Sequence, residues 1–377
     1  MPDAHSRALA ALKRRGRLRA LEGRAGLDFA SNDYLGLAGS AELADAARAA
    51  LDRGVPVGAG GSRLLRGNHP EHEALEAEAA AHFGSETALY FGGGFQANTA
   101  IFSTLPSRGD LIVHDALIHA SVHDGVRASK AEHAIAPHND CQAFDDAIRR
   151  WRARGGMGRV WIAVESLYSM DGDRAPLFDI ATVAARHDAM LVIDEAHATG
   201  VLGDDGRGLA AVLEGCAEVV SLHTCGKALG ANGALVLASR TLREFMVNRC
   251  RPFIYATAPS PLMAALVRES LRLCRDEPGR RTAVLRRVAL FNQRVSSGIG
   301  LAVSGSHIVP IIVGGDTRAV ALAAAIRSRG FDVRAVRPPT VPEGTARLRI
   351  TITNNVSEND IDQLAAALGD ELGRLAA

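Results

Sequence analysis

The stretch MLVIDEAH, Met190–His197, joins a short apolar run to a group of ionisable side chains. An unbroken apolar run of this length is typical of a strand that is buried on both faces of a parallel sheet. Asp194 ends the run, and His197 follows three residues later. Open α/β sheets bind ligands beyond the carboxyl ends of their strands. The stretch therefore predicts a central strand that delivers an acid and an imidazole to a ligand site.

Similar apolar runs recur on both sides of this stretch. They are Ala88–Phe91, Leu111–Val113, Val160–Val164, Val219–Leu222 and Ala234–Leu237. Segments with helical patterning, such as Cys141–Arg154 and Ile180–His187, lie between most of them. Short buried strands separated by helices predict an α/β fold with a parallel-dominated central sheet that is covered on both faces.

The pattern changes after about Pro259, where two long helical stretches lead into a smaller α+β unit. Its predicted elements are strand His307–Val313, helix Thr317–Arg329, strand Phe331–Val336, strand Arg347–Thr353 and a helix from Glu358. At the other end of the chain, the basic amphipathic stretch Ala8–Leu21 is expected to form a solvated helix. We therefore expect three parts, which are an N-terminal segment (1–38) near the small domain, a large cofactor-binding domain (39–270) and a small C-terminal domain (271–377).

The charge balance of the 377-residue chain is close to neutral, because 43 Lys and Arg residues face 42 Asp and Glu residues, a net charge of +1. Neither nucleic acid nor an anionic membrane is expected as a partner, since both select a basic surface. No apolar run approaches the roughly 18 residues of a membrane span. The first 20 residues lack the apolar core of a signal peptide, so we expect a cytoplasmic protein.

Cysteine and histidine spacings give no sign of a metal site. The five cysteines are scattered without a Cys-x-x-Cys pair: Cys141, Cys216, Cys225, Cys250 and Cys274. This pattern predicts neither a disulfide framework nor a zinc site, and it fits a reducing compartment. His69 and His72 flank a predicted helix start, and no third residue lies at a spacing typical of metal ligands. We therefore expect both histidines to be structural and expect no metal to bind.

Polar residues follow five of the predicted strands. They are the turn Gly92–Ala97 (GGGFQA), His114–His119, Glu165–Asp173, Asp194–His197 and Thr224–Lys227. Because the carboxyl ends of parallel strands meet at one edge of the sheet, we expect these residues to lie together.

This set of residues meets the requirements of pyridoxal 5'-phosphate. The cofactor needs a lysine amine, an anion at its ring nitrogen, a donor to its ring hydroxyl, a group on the ring face and a phosphate cup. A helix N-terminus supplies such a cup. In the predicted assignment Lys227 binds the cofactor aldehyde, Asp194 pairs with the ring nitrogen and His197 donates to the ring hydroxyl. His119 covers the ring face, and the Gly94–Phe95 turn binds the phosphate together with Thr224.

Each of these residues alone has an ordinary structural interpretation. Lys227 could be a surface lysine beside a glycine turn, Asp194 a helix cap, and His119 a core histidine. A nicotinamide-dependent dehydrogenase is the rival from another class, because GGGFQA fits G-x-G-x-x-A and Asp115 lies 18 residues past Ala97. That reading leaves Asp194 and Lys227 unexplained. A non-enzymatic cofactor-binding protein would have no use for Lys227 as a base.

The chain resembles the α-oxoamine synthase family of fold-type-I pyridoxal-phosphate enzymes over nearly its whole length, from Ala30–Leu37 (ASNDYLGL) onward. The motifs that carry the resemblance are Ser169–Leu177 (SMDGDRAPL), Asp194–Gly200 (DEAHATG) and Gly226–Gly230 (GKALG). Two positions depart from the family pattern. Ser166 stands where glycine is common, and Cys225 stands where an aromatic residue is common.

The resemblance implies roles for residues at matching positions. It implies that Lys227 forms the Schiff base and moves protons, that His119 stacks on the ring, that Asp194 pairs with the ring nitrogen, that His197 and Ser169 lie near the ring hydroxyl, and that Gly94, Phe95 and Thr224 contact the cofactor. It further implies that Asn32 and Arg349 bind an amino-acid carboxylate, that Thr340 lies near the acyl substrate, and that Arg19 is a substrate arginine.

The segment Arg337–Arg349, with its RPPTVP start, is most similar to the branch of the family that condenses L-alanine with a pimeloyl thioester. The resemblance also implies a homodimer. The sequence leaves open whether the thioester is on coenzyme A or on acyl carrier protein. Another member of the family, such as a glycine C-acetyltransferase, and a plain aminotransferase remain alternatives within the fold.

Overall fold

The computed structural model describes residues 3–213, 218–301 and 303–376, and Cys216 lies outside them. The chain divides into two compact units. The larger unit contains Leu35–Ser169 and Arg174–Arg281. The smaller unit contains the N-terminal residues to Tyr34, Met170–Asp173 and the C-terminal part from Thr282. These two units divide at 34/35 and 281/282, and the smaller unit also includes 170–173. The three-part organisation with boundaries at 38/39 and 270/271 stays a prediction.

The strands, numbered in chain order, are β1 Leu27–Asp28, β2 Thr87–Phe91, β3 Leu111–Asp115, β4 Glu132–Ala136, β5 Val160–Glu165, β6 Met190–Asp194, β7 Val219–Thr224, β8 Ala234–Ala238, β9 Ile308–Gly314, β10 Phe331–Asp332, β11 Arg334–Val336 and β12 Ala346–Thr351. The α-helices are α1 Ala4–Arg14, α2 Ala41–Asp52, α3 Pro70–Phe83, α4 Gly94–Thr104, α5 Ala120–Ala128, α6 Cys141–Ala153, α7 Leu177–Arg186, α8 Arg240–Arg249, α9 Arg251–Ile254, α10 Pro261–Asp276, α11 Pro278–Ile299, α12 Asp316–Ser328 and α13 Glu358–Ala376.

The larger unit is built on a seven-stranded sheet within the described part of the chain, in the order β2-β8-β7-β6-β5-β3-β4. The strands pair in parallel except β8, which is antiparallel to both β2 and β7. The predicted α/β fold class and its six predicted strands are confirmed. The sequence did not reveal β4, because this edge strand is mostly exposed and therefore lacks an apolar run.

Hydrophobic clusters cover both faces of this sheet. Val192 belongs to the cluster beneath α4 and α5, whereas Leu191 and Ile193 belong to the cluster beneath α6 and α7. Burial on both faces explains why β6 reads as an unbroken apolar run.

Helix α3 shows why His69 and His72 are structural. His69 caps the helix by accepting the Glu71 N–H at Nδ1, and His72 Nδ1 accepts the His69 N–H. His72 Nε2 lies 2.8 Å from the Pro259 carbonyl oxygen, to which it donates. The helix ends at Gly84, whose φ of 75° suits glycine. Among the described residues, no three His, Cys, Asp or Glu side chains form a metal-binding group.

The smaller unit contains an antiparallel sheet, β11-β12-β9, and a short parallel pair, β1-β10. The predicted strand Phe331–Val336 was wrong as one element, because its two halves pair with different strands. The bounds of the predicted helix Ala8–Leu21 were also wrong, because α1 begins at Ala4 and ends at Arg14. Gly16 follows with φ 67°, and Arg17 forms ion pairs with Asp316 and Glu343.

The helices of the described residues are too short or too polar to span a membrane.

Candidate cofactor site

Three neighbouring strands of the larger unit end in polar residues. Glu165 and Asp194, the last residues of β5 and β6, are paired in register, and Thr224 ends β7. Residues paired in register project from the same face of a sheet. The carboxyl ends of β5, β6 and β7 thus form one polar edge, as the sequence predicted.

Lys227 lies directly beyond this edge, and its Nζ is 2.7 Å from His197 Nε2. His197 is held in the turn that follows β6, where the Ala196 N–H donates to Asp194 Oδ1 at 2.9 Å. The chain has two other lysines, Lys13 and Lys130. Lys227 alone follows a central strand of the sheet, and the short contact couples its amine to an imidazole that can exchange a proton with it.

Asp194 is anchored by α4 as well as by its own turn. Its Oδ2 accepts a hydrogen bond from Asn98 Nδ2 at 2.7 Å. Asn98 Nδ2 also donates to Ser121 Oγ at 3.0 Å. Ser121 Oγ in turn lies 2.7 Å from His119 Nδ1. A continuous network therefore joins the predicted partner of the ring nitrogen to the predicted stacking histidine.

His119 caps α5 and carries its proton on Nε2. The backbone N–H of Ser121 donates to His119 Nδ1, so this nitrogen is an acceptor. Burial lowers the pKa of the imidazole; Asp194 opposes this shift and Lys227 adds to it. The rings of His119 and Phe95 are arranged edge to face, with their centroids 6.4 Å apart. A neutral, fixed imidazole of this kind is suited to covering an aromatic ring.

The first turn of α4 is suited to a phosphate. Its N-cap is Gly93, which has no side chain that could cap the first N–H groups of the helix. A Cβ placed on Gly94 would lie 3.5 Å from Thr224 Oγ1, so the start of α4 and the end of β7 are neighbours. Phe95 is half exposed at this turn. The first N–H groups of a helix attract anions, and a hydroxyl beside them adds a donor.

Ser169 is buried, and its backbone N–H donates to Glu165 Oε2 at 2.9 Å. No role was predicted for Asn98, Ser121 or Glu165, although Glu165 was expected at the polar edge. The first two are isolated polar residues on apolar helix faces, which is the one signal that could have drawn attention to them. Their contacts depend on where α4 and α5 cross the sheet, which no local pattern records.

The two departures from the family pattern are both accommodated. Ser166 Oγ donates to Glu195 Oε2 at 2.9 Å, and Glu195 also accepts the N–H groups of Leu209 and Ala210. Cys225 is fully buried in the β7–β8 connection, and burial raises the pKa of its thiol. The thiol is therefore protonated and unreactive at neutral pH.

The remaining predicted site residues belong to the smaller unit, where they form two pairs. Arg349 Nη2 donates to Asn32 Oδ1 at 3.1 Å, and the hydroxyl of Tyr34 donates to the same oxygen at 2.9 Å. Arg347, on the same face of β12, is instead bound to the carboxylate of Asp171.

The second pair in the smaller unit joins Arg19 and Thr340. Arg19 Nη2 donates to Thr340 Oγ1 at 3.3 Å, and both side chains are exposed. The stretch around Arg19 is non-helical, so its position beside Thr340 could not be inferred from periodicity.

These residues fit pyridoxal 5'-phosphate, because amine, anchored acid, neutral imidazole and uncapped helix start occur together in the larger unit. The model of the family described as aminotransferase class I and II matches residues 24–368. The 8-amino-7-oxononanoate synthase of Anaeromyxobacter sp. (strain K) is 43% identical over 350 residues, which cover 92% of this chain and 86% of that protein.

Solved structures of similar proteins agree with this match and with the predicted fold-type-I class. A serine palmitoyltransferase variant from S. paucimobilis with bound PLP–myriocin aldimine superposes with a TM-score of 0.89 at 25% identity, covering 99% of both chains. The 8-amino-7-oxononanoate synthase of Francisella tularensis superposes with a TM-score of 0.77 at 26% identity, covering 93% of this chain and 99% of that chain. This chain therefore belongs to the aminotransferase class I and II family and, within it, to the 8-amino-7-oxononanoate synthase family.

Proposed function

We propose that this protein condenses L-alanine with a pimeloyl thioester to give 8-amino-7-oxononanoate, carbon dioxide and a free thiol. In the balance of this reaction, alanine loses its Cα proton and its carboxyl group, Cα bonds to the acyl carbon, the thiol leaves, and a proton returns to Cα. The observation that carries the proposal is the 2.7 Å contact of Lys227 with His197 beside the anchored Asp194, in a chain similar to synthases of this product.

The proposed cofactor is pyridoxal 5'-phosphate, and it would be held by residues of the larger unit. When bound, it supplies an electron sink that stabilises negative charge at the amino-acid Cα. In the proposed assignment Lys227 holds the aldehyde, Asp194 the ring nitrogen, His119 the ring face, His197 and Ser169 the ring hydroxyl, and Gly94, Phe95 and Thr224 the phosphate.

The proposed base is the Lys227 amine, which removes the Cα proton of alanine and later returns one. An amine can act as a base only when it is unprotonated, and it needs a route by which its proton can leave. His197 Nε2 offers that route at 2.7 Å.

Asp194 is proposed to supply fixed negative charge. Two donors, Asn98 Nδ2 and the Ala196 N–H, hold its two oxygens. A carboxylate that is already oriented needs no reorganisation as charge develops during the reaction, and such preorganisation is a main source of catalytic stabilisation.

The amino-acid carboxylate is proposed to bind at Arg349 and Asn32. The planar guanidinium of arginine can hold a carboxylate through two parallel hydrogen bonds. Arg347 is less suited because Asp171 already neutralises it. Arg19 and Thr340 are proposed to contact the acyl substrate.

Two further parts of the proposal come from similarity to the family. We propose a homodimer and a cytoplasmic location. The acyl carrier, coenzyme A or acyl carrier protein, is left to experiment.

The function is tested by supplying L-alanine or glycine with a panel of acetyl, succinyl, pimeloyl and palmitoyl thioesters and measuring thiol release. Each acyl group is presented on coenzyme A and on acyl carrier protein. The proposal expects the highest rate for L-alanine with a pimeloyl thioester on one of the two carriers. A preference for glycine with acetyl thioester would instead indicate a glycine C-acetyltransferase.

A further inference from the structure

Glu165 is a buried acid that none of the roles above uses. It ends β5, directly beside Asp194 of β6. Trp161 and Ala163 of β5 belong to the cluster beneath α4 and α5, and so does Val192 of β6. Strand alternation therefore places Glu165 and Asp194 on the face of the sheet that α4 and α5 cover.

The two oxygens of Glu165 differ in their contacts. Oε2 accepts the Ser169 N–H at 2.9 Å, whereas Oε1 is buried and meets no hydrogen-bond partner among the described residues. The residue is 3% exposed, so solvent does not readily satisfy Oε1. A buried polar atom of this kind in a native site points to a ligand group.

Asp194 and Glu165 also differ in how well a negative charge is supported. Asp194 accepts hydrogen bonds from Asn98 and Ala196, on separate oxygens. Glu165 accepts one hydrogen bond within the described chain, from Ser169. Two adjacent buried carboxyls do not both ionise readily, and the better-supported one keeps the charge. Asp194 is thus the anion of the pair, and Glu165 is the neutral acid.

The charges around Glu165 agree with this division. Burial raises the pKa of its carboxyl to about 8, and the charge of Asp194 acts in the same direction. Lys227 and the Ser169 N–H oppose the shift, and Asp115 at the end of β3 adds to it.

We propose that Glu165 is a further cofactor-contact residue, whose Oε1 carries a proton and donates a hydrogen bond to the hydroxyl-bearing edge of the bound cofactor. The proposal rests on the cofactor site described above. We assign Glu165 to this edge of the cofactor because its Oε2 accepts the N–H of Ser169. Ser169 is itself proposed to lie near the ring hydroxyl. Glu165 would thus fix Ser169 and supply a donor of its own.

The test uses two substitutions, one that keeps a hydrogen-bond donor at position 165 and one that removes it. In Glu165→Gln an amide N–H can replace the acid O–H, whereas Glu165→Leu offers neither donor nor acceptor. Cofactor affinity is measured by titrating pyridoxal phosphate into cofactor-free protein from pH 6 to 9. At pH 7 we expect near wild-type affinity for Glu165→Gln and a loss of roughly 5- to 100-fold for Glu165→Leu, the range for an unpaired buried polar group.

The pH dependence gives a second readout. Wild-type affinity should fall as the pH rises through about 8, because Glu165 then loses the donated proton. Glu165→Gln should lack this fall. Glu195→Gln is the matched control, because Glu195 is also buried but accepts hydrogen bonds from Ser166, Leu209 and Ala210. It should keep the wild-type pH dependence.

The inference is overturned if Glu165→Gln weakens binding as much as Glu165→Leu, since Glu165 would then act as an anion. It is also overturned if Glu165→Gln keeps the fall near pH 8, which can be measured even if Glu165→Leu does not fold. Failure of the whole cofactor site is a different result, because wild-type protein would then not bind pyridoxal phosphate at all. Infrared spectra of cofactor-free protein at pH 7 give an independent check, since a carboxylic-acid band should be lost in Glu165→Gln.

Discussion

Lys227 Nζ lies 2.7 Å from His197 Nε2, so the amine and the imidazole of the predicted cofactor site are in direct contact. The imidazole belongs to the turn after β6, and the amine follows β7, so two adjacent strands set the distance. The contact places a proton acceptor beside the amine that is proposed to act as the base.

Replacing Asp194 by Asn should lower kcat by about 100-fold or more while the protein stays folded. The charge on Asp194 is expected to contribute roughly 3 kcal/mol to the transition state. Steady-state thiol release measures the effect. Asp145→Asn is the control, because Asp145 is also buried but is ion-paired with Arg149, Arg186 and His187, away from the predicted site. Near wild-type activity for Asp194→Asn would mean that another acid serves the cofactor.

Removing the hydroxyl that links Asn98 to His119 should loosen the ring-stacking position. In Ser121→Ala we expect cofactor affinity to fall by about 5- to 10-fold, the value of one buried hydrogen bond. His119→Ala should weaken cofactor retention further and should increase abortive transamination. If the two substitutions act through one network, their effects will be less than additive in the double variant. Strict additivity would show that the network does not couple them.

The two arginines of β12 should respond differently to truncation. Arg349→Ala should raise the apparent Kd for L-alanine by about 10- to 150-fold, the equivalent of roughly 1.5–3 kcal/mol for a charge-assisted pair. Arg347→Ala should change alanine binding much less and should lower stability, because it leaves Asp171 unpaired. Titration with L-alanine, followed by the visible spectrum of the bound cofactor, compares them. Loss of binding in Arg347→Ala alone would reassign the carboxylate site.

Acid should destabilise the larger unit through His223. Burial lowers the pKa of His223 to about 3, and its neutral ring donates to Thr199 Oγ1 and accepts from Ser221 Oγ. Between pH 6.5 and 3 the unfolded chain binds a proton at this residue and the folded chain does not. Stability should therefore fall by up to about 1.4 kcal/mol per pH unit as the pH drops below about 6. Denaturant unfolding should show a shallower pH dependence in His223→Gln; identical slopes would contradict this assignment.

The sheet and the ends of its strands could be predicted because a parallel strand that is buried on both faces appears in the sequence as an unbroken apolar run. An apolar run such as β6 shows both where a strand lies and which residue ends it. Edge strand β4 leaves no such record, because its side chains are exposed. In the same way, α1 was displaced because its end depends on Gly16 and on the ion pairs of Arg17, not on periodicity.

The predicted cofactor residues of the larger unit lie at the strand ends and helix starts where the sequence put them, while their roles remain predictions. The residues that hold them were not predictable. Asn98 reaches Asp194 only because α4 packs on the face of the sheet from which Asp194 projects, and Glu165 lies beside Asp194 only because β5 and β6 are in register. Such contacts join distant positions, so no spacing rule reveals them.

Lys227 is proposed to carry the cofactor, and reduction of the cofactor-loaded protein with borohydride followed by peptide mapping tests this assignment directly. The chain has three lysines, Lys13, Lys130 and Lys227, so the assignment is unambiguous. We expect the reduced cofactor on Lys227 and no labelling in Lys227→Ala, with Lys13→Ala and Lys130→Ala labelled like wild type. Label on Lys13 or Lys130, or undiminished labelling of Lys227→Ala, would contradict it.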